Sequence, residues 1–197
     1  MMPSIKDRGG SPRKFQLVVK RLIDITSSVI ALIVLSPLLL LVSLAIKIDS
    51  RGPILAKRVE HCYYNQNIRI FKFRCSTFLH PHTRIGPFLI RNGLDRLPML
   101  INVLRGEMSI VGPRCHTALP SLLLSEHGLL LLKNSPLKPG LFNPRESSDE
   151  YNGDSDQRQI ESDISYIMNW SLFLDAKIFI EAIFSARSYK LDSLEQR

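Results

Sequence analysis

The side chain with the most chemical promise is Asp95, within Gly86 to Gly106, GPFLIRNGLDRLPMLINVLRG. Pro98 suits a first helical turn; Leu97, Leu100, Ile101 and Leu104 supply an apolar face, and Gly106 closes the helix. Asp95 then falls at the helix N-terminus, where the dipole and free amides favour an ionised carboxylate. Two readings stay open: a simple N-cap, or a nucleophile held in its charged form. Cations stand on both sides of it in sequence. Asn67 to Arg74, NIRIFKFR, alternates apolar Ile68, Ile70, Phe71 and Phe73 with basic Arg69, Lys72 and Arg74. Such a strand or ribbon can present cations on one face, or be a solvated basic edge. Met108 to Val111 runs into Gly112-Pro113-Arg114, a sharp turn that projects one guanidinium. That group suits bidentate phosphate binding, although a lone arginine on a turn is often just solvated. Cys75, His80 and His82 form no recognised metal site and read as an ordinary loop.

The element that must position these groups is Ile25 to Ile46, ITSSVIALIVLSPLLLLVSLAI, a run without a charge. At ~1.5 Å per residue a continuous helix here is roughly 33 Å long, enough to cross a hydrocarbon core. Lys20, Arg21, Arg13 and Lys14 flank its start; Lys47, Arg51, Lys57 and Arg58 flank its end. A plain span carries its basic bias on one side, so two basic flanks favour a bent helix returning to the same face. Pro37 removes a backbone donor and the Ser36 hydroxyl can partly satisfy what is freed. An ordinary span with a proline kink is the other reading. The apolar run exceeds a signal-peptide core, so no cleaved leader is expected.

Hydrophobic residues make up 45% and charged residues 22% of the chain, which excludes disorder for most of it. The net charge of +8 fits anionic headgroups or phosphorylated ligands. Basic residues are dispersed and no nucleic-acid motif is present, so no nucleic-acid partner is expected. Three cysteines without metal or redox spacing suggest reduced thiols on a cytoplasmic face. Asp24 lies one helical turn from Lys20 and Arg21, close enough to pair with them. Leu119 to Lys133 reads as core or as an interfacial helix, and Asn143 to Gln159 as a mobile loop over a site. A last helix is expected over about Ile160 to Tyr189, with Tyr166, Trp170 and Phe173 at a headgroup boundary or in a core.

These segments fall in an order that resembles a known family. Lys20-Arg21-Leu22-Ile23-Asp24, Leu35-Ser36-Pro37, Gly52-Pro53, Arg69 to Arg74, Leu94-Asp95, Leu97-Pro98 and Asn102-Val103-Leu104 lead the series. Gly106-Glu107-Met108-Ser109, Val111-Gly112-Pro113-Arg114, Lys138-Pro139-Gly140, and Asn169-Trp170-Ser171-Leu172 with Asp175 complete it. Together they resemble the bacterial sugar transferases, monotopic polyprenyl-phosphate phosphoglycosyl transferases, from Lys20 to about Ile180. The resemblance implies a mostly helical α/β fold: a flexible basic lead (1–19), a re-entrant membrane helix broken at Ser36-Pro37 (20–48), a cytoplasmic sugar transferase domain with interfacial amphipathic helices (49–190) and a tail (191–197). It implies transfer of a sugar-1-phosphate from a UDP-sugar to polyprenyl (undecaprenyl) phosphate at the bacterial inner membrane, initiating exopolysaccharide synthesis. Other polysaccharide-assembly enzymes are the implied protein partners. Asp95 matches the family's nucleophile, which carries a covalent phosphosugar, and Lys72, Arg91 and Arg114 match its phosphate-binding positions.

Departures cluster near Asp95. The family's Asp-Glu pair, whose glutamate helps hold Mg²⁺, is Asp95-Arg96 in this chain. At ~6 Å and an effective dielectric of ~20, one arginine repels Mg²⁺ by about 5 kcal/mol before relaxation. Gly93 replaces the usual serine or threonine, Cys115 the proline after Gly-Pro-Arg, and Leu141 to Arg145 the usual polar stretch. Lys57 to His61 blurs a further motif. The sequence therefore carries two expectations, a working transferase and a silent homologue that binds lipid phosphate or partner enzymes.

Overall fold

A computed structural model describes residues 14–62, 66–76, 83–114, 134–144 and 155–195. The N-terminal run forms two helices, α1 (Lys14–Val34) and α2 (Ser36–Asp49), bent by 62° at Leu35. Neither helix alone is long and apolar enough to cross a membrane, whereas the bent pair meets that test by length and composition. The break follows from Pro37, whose missing N–H leaves the carbonyl of Ile33 without its helical donor. The Ser36 hydroxyl donates to that carbonyl at 2.8 Å, the compensation expected from the sequence.

The buried stripe of α1 is polar: Lys20, Asp24 and Ser28, four residues apart, face inward. Lys20 and Asp24 do not pair with each other. Lys20 Nζ donates to Val111 O at 2.8 Å and to Asp175 Oδ2 at 2.6 Å. Asp24 accepts from Ser109 Oγ at 2.7 Å and from Ile110 N at 3.0 Å. Buried charges demand fixed partners, and the fold supplies stronger ones than a neighbour one turn away. Arg21 donates to Val103 O at 2.6 Å and Leu104 O at 2.9 Å, closing the C-terminus of α4 (Leu100–Arg105).

Two small sheets follow. Strand β1 (Leu55–Cys62) pairs antiparallel with β2 (Gln66–Phe73), from Leu55 opposite Phe73 to Cys62 opposite Gln66. Strand β3 (Ser109–Val111) pairs parallel with β4 (Gly140–Phe142). The helix expected from about Asp95 to Gly106 is two pieces, a 3₁₀ helix (Leu94–Met99) and α4, and the turn expected ahead of it carries a short helix, α3 (Gly86–Arg91). The expected last helix is likewise two, α5 (Ser155–Met168) and α6 (Leu172–Glu195). Ser171 Oγ accepts from Leu174 N at 3.1 Å, an N-cap that restarts the helix after Trp170. Residues 155–159, expected in a loop, are the start of α5. The leucine-rich stretch 119–133, the rest of that loop within 145–154, and His80 and His82 lie outside the described residues.

One core joins Ile68, Ile70, Met99, Val103, Met108 and Tyr166 between the sheets and α4 to α6. A second holds Val42 and Ile46 of α2 against Phe73 and Leu89. Tyr166 donates to Asp175 Oδ1 at 2.6 Å, and Trp170 Nε1 lies 3.2 Å from both carboxylate oxygens. Both rings therefore belong to the interior. Phe173, at 81% exposure, remains on the surface.

Candidate active site

The 3₁₀ helix begins after Gly93, whose φ of +65° is strained for any residue with a side chain. No side chain caps it, so Asp95 is in its first turn but is not a cap. Asp95 is half-buried, and its Oδ1 is enclosed with no hydrogen-bond partner among the described residues. Burial pushes the carboxyl above the ordinary aspartate range. Arg96, Lys72 and the backbone amides of Asp95 and Arg96 pull it back without overcoming burial. The expected helix-terminus stabilisation is thus outweighed by desolvation. Burial and the charge of Asp95 also push up the Cys75 thiol.

Beside this carboxylate lies a cleft of about 240 Å³ whose lining includes Lys72, Arg96, Arg114, Met99, Met108 and Asn143. Lys72 comes from β2, Arg96 from the 3₁₀ helix and Arg114 from the turn after β3. The segments that carry Lys72 and Arg114 are each held by a local device. Asn102, fully buried on α4, accepts from Phe71 N at 3.0 Å and donates to Arg69 O at 2.7 Å, clamping β2 on either side of Ile70. Its amide also donates to Glu107 Oε2 at 2.6 Å. The Arg114 turn is fixed where Arg114 N donates to Asp163 Oδ2 at 3.1 Å, and Asn143 Nδ2 donates to Gly112 O at 3.0 Å. A Cβ on Gly140 would collide with the backbone nitrogen of Gly112, so the cleft wall closes only because both residues lack one.

Of the sequence-derived site residues, Lys72 and Arg114 line the cleft together with Arg96, and Asp95 lies outside the lining but is electrostatically coupled to Lys72 and Arg96. Arg91 is exposed at the end of α3, outside the cleft lining. Asn102 and Asn143 were not singled out individually. A buried amide reads from sequence as any helix or loop asparagine until its cross-chain partners are known.

Magnesium takes hard oxygen donors, carboxylates foremost. The described lining offers three cations, an amide and thioethers, and Asp95 is the carboxylate electrostatically coupled to it. No group of three His, Cys, Asp or Glu able to hold a metal occurs among the described residues. The Mg²⁺ implied by the sequence resemblance does not fit this donor set.

A cationic cleft next to a desolvated carboxylate has the charge that phosphate groups require. The bacterial sugar transferase model matches residues 15–188, and the chain belongs to that family. It is 36% identical over 195 residues to an undecaprenyl-phosphate glucose phosphotransferase of Komagataeibacter xylinus, covering 86% of this chain and 36% of the relative. A UDP-glucose:undecaprenyl-phosphate glucose-1-phosphate transferase of Klebsiella pneumoniae is 32% identical over 186 residues, 85% of this chain and 40% of the relative. The chain therefore spans well under half the length of these two. The exopolysaccharide production protein PSS of Rhizobium leguminosarum bv. phaseoli is 35% identical over 195 residues, 86% of this chain and 95% of that protein.

Proposed function

We propose that the chain transfers a sugar-1-phosphate from a UDP-sugar to undecaprenyl phosphate, initiating exopolysaccharide synthesis on the cytoplasmic face of the bacterial inner membrane. The observation that carries this reading is Asp95, with an unpartnered carboxylate oxygen, beside a cleft lined by Lys72, Arg96 and Arg114. In the first step an Asp95 oxygen attacks the phosphorus bearing the sugar. The bond to the bridging oxygen breaks and UMP leaves with that electron pair. In the second, a lipid phosphate oxygen attacks the same phosphorus and the Asp95–phosphate bond breaks, restoring the carboxylate. Two displacements replace one, and the cations offset charge on the phosphates in each.

The bent helix pair supports a re-entrant seat in the bilayer. Its outward side exposes Ile30, Ile33, Val34, Leu40 and Leu41, while Val42 and Ile46 face the domain. Such an apolar face, with basic residues at both ends, suits lipid on one side and headgroups at the rim.

UMP release by the full chain in nanodiscs, across a panel of UDP-sugars, tests the reaction. Asp95→Asn is expected to lower it by about a thousandfold, and a phosphosugar adduct on Asp95 is expected in a quenched wild-type reaction. Turnover surviving in Asp95→Asn would remove the nucleophile. A second reading, a silent homologue that binds lipid phosphate or partner enzymes, draws on Arg96 standing in the cleft where the resemblance expects a metal-binding carboxylate. UDP binding without any adduct or turnover would favour it.

A further inference from the structure

Three cations from three separate elements converge on the cleft, and Arg96 is the one the family resemblance does not anticipate. Its side chain is exposed to the cleft rather than folded away, and its immediate neighbour in sequence is the carboxylate of the site. In phosphoryl transfer a divalent cation usually bridges phosphate oxygens and neutralises their charge. A guanidinium performs both tasks for a diphosphate, because its planar fork bonds two oxygens at once and its charge is permanent. Arg96 itself repels a second positive ion, and the described lining holds no carboxylate that would join Asp95 in retaining one.

We infer that Arg96 is the diphosphate-binding group of this cleft and takes the place of a metal ion, so that a nucleoside diphosphate binds without magnesium. This rests on the reading of the cleft as the UDP-sugar site. Lys72 and Arg114 flank the ligand, and Arg96 grips the phosphate nearest Asp95.

Calorimetric titration of UDP into the full chain in nanodiscs, in excess chelator and in millimolar Mg²⁺, tests it. Wild-type affinities in the two conditions are expected to agree within about threefold, and Arg96→Gln to weaken binding in chelator by roughly tenfold or more. Lys177→Gln, an equal loss of charge on the exposed surface of α6, is expected to bind as wild type. Wild-type binding that needs Mg²⁺, wild-type affinity in Arg96→Gln, or an equal loss in both variants would overturn the inference and leave the proposed reaction standing. Absence of UDP binding in either condition, by protein with an intact helical circular dichroism spectrum, would overturn both.

Discussion

Two groups of charges are packed into this chain on opposite terms. Around α1, Lys20 meets Asp175, and Asp24 meets the Ser109 hydroxyl and the Ile110 amide, so charge is matched by charge or by directed donors. Around the cleft, Lys72, Arg96 and Arg114 line a cavity whose described lining includes no carboxylate, with Asp95 coupled to it from the side. The first group is nearly closed to solvent, with side-chain exposures of 9% and 12% for Lys20 and Asp175. The second opens outward. Matched charges hold an element in place; an excess of cations lining an open cleft draws an anion to it.

The sharpest way to break the contrast is to unbalance the first group. Lys20→Met leaves Asp175 buried without its cation, and is expected to cost about 3–5 kcal/mol in denaturant unfolding. A loss below about 1 kcal/mol would mean that Tyr166 and Trp170 suffice for Asp175, and that the pairing is incidental. An intermediate effect is expected in the second group. Attack requires ionised Asp95, so kcat/KM falls as pH drops through its raised pKa; Arg96 lowers that pKa, so Arg96→Gln moves the acid limb to higher pH. An unmoved limb would uncouple the two side chains. The smallest effect concerns stability. Because burial raises the folded-state pKa of Asp95, ionisation disfavours the fold, and stability falls as pH rises from the unfolded to the folded pKa. Asp95→Asn should then raise Tm slightly at neutral pH, with the difference fading in acid, as read by thermal scans at both pH values.

What the sequence disclosed and what it hid divide along contact range. The break at Ser36-Pro37 is local, and the hydroxyl repair of the Ile33 carbonyl was legible from two adjacent residues. Ile68, Ile70, Phe71 and Phe73 were legible as the apolar members of a strand and all are buried, with Arg105 over the Phe71 ring at 4.7 Å from the centroid. Nothing in NIRIFKFR announces that cover. The partner of Lys20 is 155 residues away, and an apparent partner four residues away concealed it. Strand β1 was unreadable for a related reason: Lys57, Arg58, Glu60 and His61 break the apolar alternation, and pairing with β2 defines it. At the site, residue types left Asp95 open between cap and nucleophile and Arg114 between phosphate binder and solvated turn; the family resemblance singled them out, with Lys72. Arg96 entered as a departure from a pattern, and its place in the cleft needed three-dimensional structure.

The bend at Leu35 has both arms fastened to the same body. Lys20, Arg21 and Asp24 bolt the first arm to α4, β3 and α6, and Val42 and Ile46 wedge the second against β2 and α3. Its angle is therefore dictated from within rather than by whatever medium bathes the outer side. The apex projects the exposed Ile33, Val34, Leu40 and Leu41 beyond these anchors, so a pull on it reaches the domain through Lys20, Arg21, Asp24, Val42 and Ile46.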